Sequence, residues 1–205
     1  MSNSVPGTEG YAEDAAALVA RWRNVSFEDV HRSVLHLIAK SPSRILDLGA
    51  GMGRDAAALA AMGHSVVAVE PVNELRAAAI GLYPTRNVIW LDDSLPELTA
   101  VTQRALSFNT VLITAVWMHL DESQRQRAMN VVSGLLEEEG HLIMSLRHGP
   151  VPAGRRMFDI SASETIDLAE AYGLALALNT TTQSVQQSNR SMGISWTWLA
   201  FRKDR

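Results

Sequence analysis

Three groups of residues in this chain have the types and spacing to do chemistry. The first is the run Ile45-Leu46-Asp47-Leu48-Gly49-Ala50-Gly51-Met52-Gly53, an apolar segment with one acid that ends in alternating glycines. Glycine permits a tight turn and lets a ligand approach the backbone. A helix starting just after such a turn offers free amide hydrogens. A carboxylate in an apolar run is costly without a partner, so Asp47 reads as placed for a purpose. The second group is Glu70, which closes the next apolar run 23 positions after Asp47. A carboxylate there can accept two hydrogen bonds from a ribose diol. The third group is a pair of clusters, Trp117-Met118-His119 and Arg147-His148-Gly149-Pro150. Both histidines can act as bases near neutral pH. Arg147 can hold a carboxylate or phosphate in a bidentate fork, and Trp117 can stack on an aromatic or cationic group.

These residues need elements to position them. Apolar runs read as strands at Arg44 to Leu48, Ser65 to Val69, Asn87 to Leu91, Leu106 to Thr114, His141 to Leu146, Leu174 to Thr180 and Ile194 to Phe201. Helical signals fall between them. Tyr11 to Asn24 places Ala15, Leu18, Val19 and Trp22 on one face. Ser26, with Asp29 three residues on, reads as the N-cap of a helix carrying Val30, Val34, Leu37 and Ile38. Further helices are expected over Arg54 to Met62 and Asn73 to Ile80. Another starts at the capping box Asp121/Gln124 and ends in Glu137-Glu138-Glu139 and Gly140. Ser161 or Ser163 caps a last helix running to Gly173. Thr181 to Met192 reads as a polar connection.

Alternating strands and helices predict an α/β fold: a Rossmann-like, seven-stranded, mostly parallel sheet with helices on both faces. The last connection is too short for a crossover helix, so the last strand is expected to run antiparallel. Glu70 and the glycine turn then lie at the carboxyl ends of their strands, where such sheets keep their ligand crevice. Both clusters of the third group lie there too.

Length and composition bound the function. At 205 residues the chain is expected to be a single domain, 1–205, with residues 1–40 an N-terminal helical segment covering the site and 41–205 the core. Hydrophobic residues make up 47% and charged residues 20%, a globular composition. There is no cysteine, which excludes disulfides, thiolate zinc sites and cysteine nucleophiles. No metal is called for. A net charge of -4 gives little reason to expect a nucleic-acid partner. Met1 to Gly10 has neither the basic cluster nor the apolar stretch of a targeting peptide. No apolar run approaches the roughly 20 residues of a membrane span. A cytoplasmic monomer or homodimer is the expectation.

The segment Leu46-Asp47-Leu48-Gly49-Ala50-Gly51-Met52-Gly53-Arg54-Asp55 resembles motif I of the class I S-adenosylmethionine (SAM)-dependent methyltransferases. His64-Ser65-Val66-Val67-Ala68-Val69-Glu70-Pro71 resembles their motif II. The resemblance runs through nearly the whole chain. It implies that SAM is the cofactor, with Asp47, Gly49, Ala50, Gly51 and Gly53 around its methionine part. It implies that Glu70, followed by Pro71, holds the ribose hydroxyls. Asp92 or Asp93, followed by Ser94-Leu95-Pro96, would contact the adenine amine. Ala115 to Met118 would form a floor below the sulfonium, and Tyr11 would fold over the cofactor.

The expected activity is transfer of a methyl group to a small molecule, with His148, Arg147, His119 and Trp117 as candidates to handle the acceptor. The chain lacks Asn-Pro-Pro-Tyr or Asp-Pro-Pro-Tyr after the fourth strand, where it reads Thr114-Ala115-Val116-Trp117. That motif marks methylation of exocyclic or amide nitrogens of adenine and glutamine. Two other readings stay open: a non-catalytic SAM-binding domain, and an NAD-dependent oxidoreductase. The alternating glycines disfavour the latter, whose glycines stand two and then three apart.

Overall fold

The computed structural model describes residues 5–204; the first four residues of the N-terminal segment, and Arg205, lie outside them. Seven strands form one sheet: β1 (Arg44–Leu48), β2 (Ser65–Val69), β3 (Val88–Leu91), β4 (Phe108–Ile113), β5 (Leu136–His148), β6 (Leu174–Gln183) and β7 (Ser195–Lys203). Their order is β3-β2-β1-β4-β5-β7-β6. The pairs β1–β2, β2–β3, β1–β4 and β4–β5 are parallel, whereas β7 is antiparallel to both β5 and β6. The strand order reverses at β1 and β4. A crevice must therefore open between their carboxyl ends, because the connections leaving them go to opposite sides.

Alternation along the strands builds a core on each face. Leu46 and Leu48 of β1 join Val111, Ile113, Met144 and Phe201 on one side. Ile45 joins Val66, Leu112, Ile143 and Ala200 on the other. The helices around the sheet are α1 (Ala15–Trp22), α2 (Phe27–His31), α3 (Arg54–Ala61), α4 (Asn73–Leu82), α5 (Thr99–Thr102), α6 (Glu122–Leu135), α7 (Ala162–Ala171) and α8 (Gln187–Ser191).

Caps legible in the sequence form. Ser26 Oγ accepts from the Asp29 amide at 3.0 Å. The Asp121/Gln124 box closes in both directions, at 2.9 Å each way. Ser161, not Ser163, caps α7.

Several boundaries differ from the sequence expectation. The helix begun at Ser26 ends at His31 and resumes only as a 3-10 turn over Leu35–Leu37. Glu137, Glu138 and Glu139 do not finish α6. They belong to β5, whose start pairs Leu136 with Phe108 before the register shifts. At the other end, pairing with β7 carries β5 past its apolar stretch to Arg147 and His148, since backbone pairing is indifferent to side-chain polarity. The helices α5 and α8 are one turn long and leave no periodic signal to read. Among the described residues, no helix is long and apolar enough to cross a membrane.

Candidate active site at the sheet switch point

A cavity of about 1280 Å³ opens at the carboxyl ends of the strands. Its walls come from the turn after β1, from Glu70 and Pro71 after β2, and from Ser94 and Leu95 after β3. The turn after β4, Ser145 and Arg147 of β5, and the start of β7 complete them. Val5 to Thr8, Tyr11 and one side of α1 close it from above.

The turn after β1 is built around φ values that only glycine adopts without strain. Gly49, Gly51 and Gly53 sit at +71°, +56° and +82°. They serve different ends. Gly49 lets Val116 pack against the turn, since a Cβ would come within 2.3 Å of Val116 Cγ2. Gly51 faces the cavity, with Trp22 the one neighbour in reach at 3.5 Å. Gly53 does not line the cavity. A Cβ there would meet Ala79 at 2.9 Å and Trp90 at 3.0 Å, so this glycine packs α3 close to α4 and β3. Its expected place at the methionine part is corrected accordingly.

Asp47 is buried beneath the turn and does not itself line the cavity. Its carboxylate accepts from the Ala56 backbone at the start of α3, and its Oδ2 has no hydrogen-bond partner. Burial first, then the charge of Asp55, pushes its carboxyl well above the usual range and favours the neutral form. Burial also works to raise Asp55, but His31 and Arg54 overcome it and hold that carboxyl low. Arg54 Nε donates to Asp55 at 2.6 Å, and His31 Nε2 stands 3.6 Å from Asp55 and 3.1 Å from Thr114 Oγ1. Sequence reading singled out Asp47 alone and missed the His31–Asp55 pair. No local pattern links two residues 24 positions apart on separate helices.

Glu70 stands at the end of β2 and lines the cavity. Its Oε2 accepts from the Gly51 amide and its Oε1 from the Val72 amide, each at 2.8 Å. Burial raises its carboxyl to about 7, against the lowering effect of those two amides. Each oxygen keeps a lone pair for a diol. Asp92 and Asp93 do not reach the cavity. Asp92 pairs with Arg76 at 3.1 Å. Asp93 accepts from the amides of Ser94 and Val101, both at 2.9 Å, and so shapes the loop that presents Ser94 and Leu95. Neither aspartate lines the cavity; each is held by the partners named.

After β4, Ala115 sits at φ +60°, and its amide donates to Ser145 Oγ at 2.9 Å. Ala115, Val116 and Met118 line the cavity as expected. Trp117 does not. It is fully buried in the apolar core, with Nε1 unpartnered, so its expected role in stacking on an acceptor is corrected. The 3-10 turn over Trp117–His119 puts Trp117 into the core and leaves Met118 and His119 on the cavity wall. His119 lines the cavity, and Tyr11 Oη lies 3.1 Å from its Nε2. Its Nδ1 lies 2.8 Å from the Arg156 carbonyl, which can only accept. Nδ1 therefore carries the proton in the neutral ring, and Tyr11 donates to Nε2. Burial lowers the His119 pKa and raises that of Tyr11.

The loop after β5 splits its two candidates. Arg147 lines the cavity, its guanidinium donating to the carbonyls of Gly149 at 3.2 Å and Pro150 at 2.8 Å. Burial lowers its pKa. His148 points to the other face of the strand and meets Thr197 Oγ1 at 2.8 Å. It does not line the cavity, because neighbours on a strand alternate. Arg155 and Arg156, further along this loop, are both engaged. Arg155 lies 4.3 Å from the Tyr11 ring centroid and bonds Asp14 at 2.7 Å. Arg156 ties His119 O to Asp121 and Gln124.

Comparison with known proteins agrees with this fold. Residues 45–140 match the family model described as a methyltransferase domain. Comparison with curated proteins finds no sequence match. Among solved structures, the chain resembles the N-methyltransferase NodS from Bradyrhizobium japonicum in complex with S-adenosylhomocysteine (SAH). That likeness has 16% identity and a TM-score of 0.73, covering 97% of this chain and 100% of that one. It also resembles a Burkholderia thailandensis 1,6-didemethyltoxoflavin-N1-methyltransferase, solved with 1,6-didemethyltoxoflavin and SAH, at 20% identity and a TM-score of 0.68. That match covers 100% and 93% of the two chains. A third likeness is to a TehB-like SAM-dependent methyltransferase from Corynebacterium glutamicum, at 20% identity and a TM-score of 0.67, over 94% and 99%. Likenesses at these identities establish the fold.

Proposed function

Residues 45–140 match the methyltransferase-domain family model and the whole chain shares the fold of SAM-dependent methyltransferases; from that premise, we propose that it transfers the methyl group of SAM to a small-molecule acceptor. The observation that carries this reading is the pairing of Glu70 with Gly51. The acid at the end of β2 is anchored by the amide of the glycine turn after β1, at 2.8 Å, so diol site and methionine site share one rigid frame.

The residues fit the cofactor. Gly49 and Gly51, with only the methyl group of Ala50 between them, leave backbone open along the cavity wall, and Glu70 offers two free lone pairs beside Pro71. Ser94 and Leu95 line the part expected to receive adenine. When bound, SAM supplies an electrophilic methyl group and its own leaving group. The chain is left to orient the acceptor, exclude water and remove a proton.

Tyr11 and His119 do the last two tasks in this reading. Tyr11 closes the cavity from the N-terminal segment. As the acceptor loses its proton to Tyr11 Oη, Tyr11 passes its own to His119 Nε2, which burial keeps unprotonated at neutral pH. Arg147 faces the acceptor. The described residues build one continuous sheet, which supports a single-domain reading in which the N-terminal segment covers the site. A cytoplasmic setting accords with the cysteine-free composition.

The test is a thermal-shift and calorimetry screen with SAM, SAH and NAD. SAM and SAH should bind in the micromolar range and raise apparent stability. Binding of NAD with neither of the other two would overturn the assignment.

A further inference from the structure

Resting on that reading, we infer that the acceptor is an anion with a flat apolar body, bound by Arg147 against the β5–β7 face of the cavity. The argument begins with charge. Of the carboxylates lining the cavity, Asp14 pairs with Arg155 at 2.7 Å and Asp29 with Arg32 at 2.6 Å. Asp55 pairs with Arg54, also at 2.6 Å, and Glu70 is held by two backbone amides. Two lining cations, Arg21 and Arg147, have no carboxylate partner among the described residues. The cavity therefore holds more unpaired positive than negative charge.

The methionine part of SAM brings one carboxylate. It belongs near Gly51, whose nearest side chain is Trp22 of α1, the neighbour of Arg21. Arg21, which lines the cavity from α1, is the cation we assign to that group. Arg147 stands elsewhere, at the end of β5. Its guanidinium meets only two backbone carbonyls of its own loop. Three of its five N–H groups are left for a ligand, and the two carbonyls fix the plane of the fork. A half-buried cation that no acid neutralises is costly unless something else neutralises it.

The surroundings describe the rest of the ligand. Arg147 stands opposite Trp196, and Ser145 opposite Trp198, in the antiparallel ladder of β5 and β7. The four side chains share one face by strand alternation, and all line the cavity. Met157 and Ile194 continue this wall. Its rim carries Val151, Val185 and Met192, three of the nine large hydrophobic side chains that the described residues expose. A half-buried indole, Trp196, paired across the ladder with a guanidinium suits a planar apolar body whose edge carries the negative charge. A cationic acceptor would find no free carboxylate to meet it.

The test uses direct binding and needs no knowledge of the true acceptor. Calorimetry first establishes SAH binding to wild-type protein and to Arg147→Gln and Arg147→Lys. Loss of SAH binding in the wild type would defeat the methyltransferase reading itself. The SAH-loaded proteins are then titrated with benzoate, naphthalene-2-carboxylate and indole-3-carboxylate, with their primary amides, and with naphthylmethylamine. Wild type should bind the bicyclic carboxylates about tenfold or more tighter than their amides. Arg147→Gln should erase that preference with SAH affinity intact, and Arg147→Lys should restore part of it. Equal binding of amides, tighter binding of the amine, an unaltered preference in Arg147→Gln, or no carboxylate binding to the SAH-loaded wild type would each overturn the proposal.

Discussion

The phenol oxygen of Tyr11 stands 3.1 Å from Nε2 of His119, a bond that ties the N-terminal segment to the turn after β4 across 108 positions of sequence. It is the point at which the cover of the cavity meets the floor. Gly7 supports it, for a Cβ there would come within 2.9 Å of His119 Cβ. The Tyr11 ring is in turn backed by Arg155, so one short segment carries both the closure and the proposed proton-transfer group.

Changing Tyr11 to Phe leaves a buried imidazole nitrogen without its donor. A loss of about 1 kcal/mol in unfolding free energy is expected, measured by urea titration. Acceptor turnover should fall roughly 10²-fold, and likewise for His119→Asn, with SAM affinity changed much less. In wild type the rising limb of kcat/KM should lie below the ordinary histidine range, because burial depresses the His119 pKa. Unaltered turnover and pH profile in both variants would remove the pair from catalysis.

Glu70 makes a prediction about pH. Its folded pKa of about 7 lies above the ordinary 4.5, so the folded state binds this proton more tightly than the unfolded one. Its contribution is fully present below about pH 4.5 and is lost as pH rises through 7, to a limit of roughly 3 kcal/mol. Glu70→Gln should flatten this decline in the difference between the two unfolding curves. Glu70→Ala should weaken SAM binding by roughly 2–4 kcal/mol in a folded protein. An unchanged SAM dissociation constant would place the ribose elsewhere.

Trp117 and His148 are expected to fail as catalytic residues, for different reasons. Trp117 is wholly enclosed, so Trp117→Ala should cost about 3–5 kcal/mol of stability. Trp117→Phe, which also removes the unpartnered indole nitrogen, should retain turnover. His148→Asn should retain it as well, since this ring meets Thr197 away from the cavity. A tenfold loss of kcat in a stable His148→Asn protein would reverse that assignment.

The glycines of the turn should separate stability from binding. Gly53→Ala forces a Cβ to within 2.9 Å of Ala79 at φ +82° and should lower the melting temperature markedly. Gly51→Ala meets nothing closer than 3.5 Å and carries a smaller strain. Its methyl group faces the cavity, so the greater loss should be in SAM affinity, read by calorimetry. Equal effects on both properties in the two variants would contradict the division of roles.

The sequence by itself determined the frame. Apolar runs of strand length, alternating glycines after the first, and an acid closing the second were enough for the seven-stranded fold and the glycine turn. They were enough for Glu70 too, because each of these signals lies within a few neighbouring residues and follows from local geometry. The single antiparallel strand was legible in the shortness of its connection. What only the tertiary structure decided was which side of each turn a residue faces. Trp117 and His119 are two positions apart, yet one is core and the other lines the cavity. Arg147 and His148 are adjacent and part to opposite faces. Asp92 and Asp93 both turn to the protein instead of the ligand site. Tyr11 with His119, Arg155 with Asp14 and His31 with Asp55 are pairings between distant segments. No spacing announces such pairs, because the packing of helices on the sheet sets their distances, and that packing depends on the whole core at once.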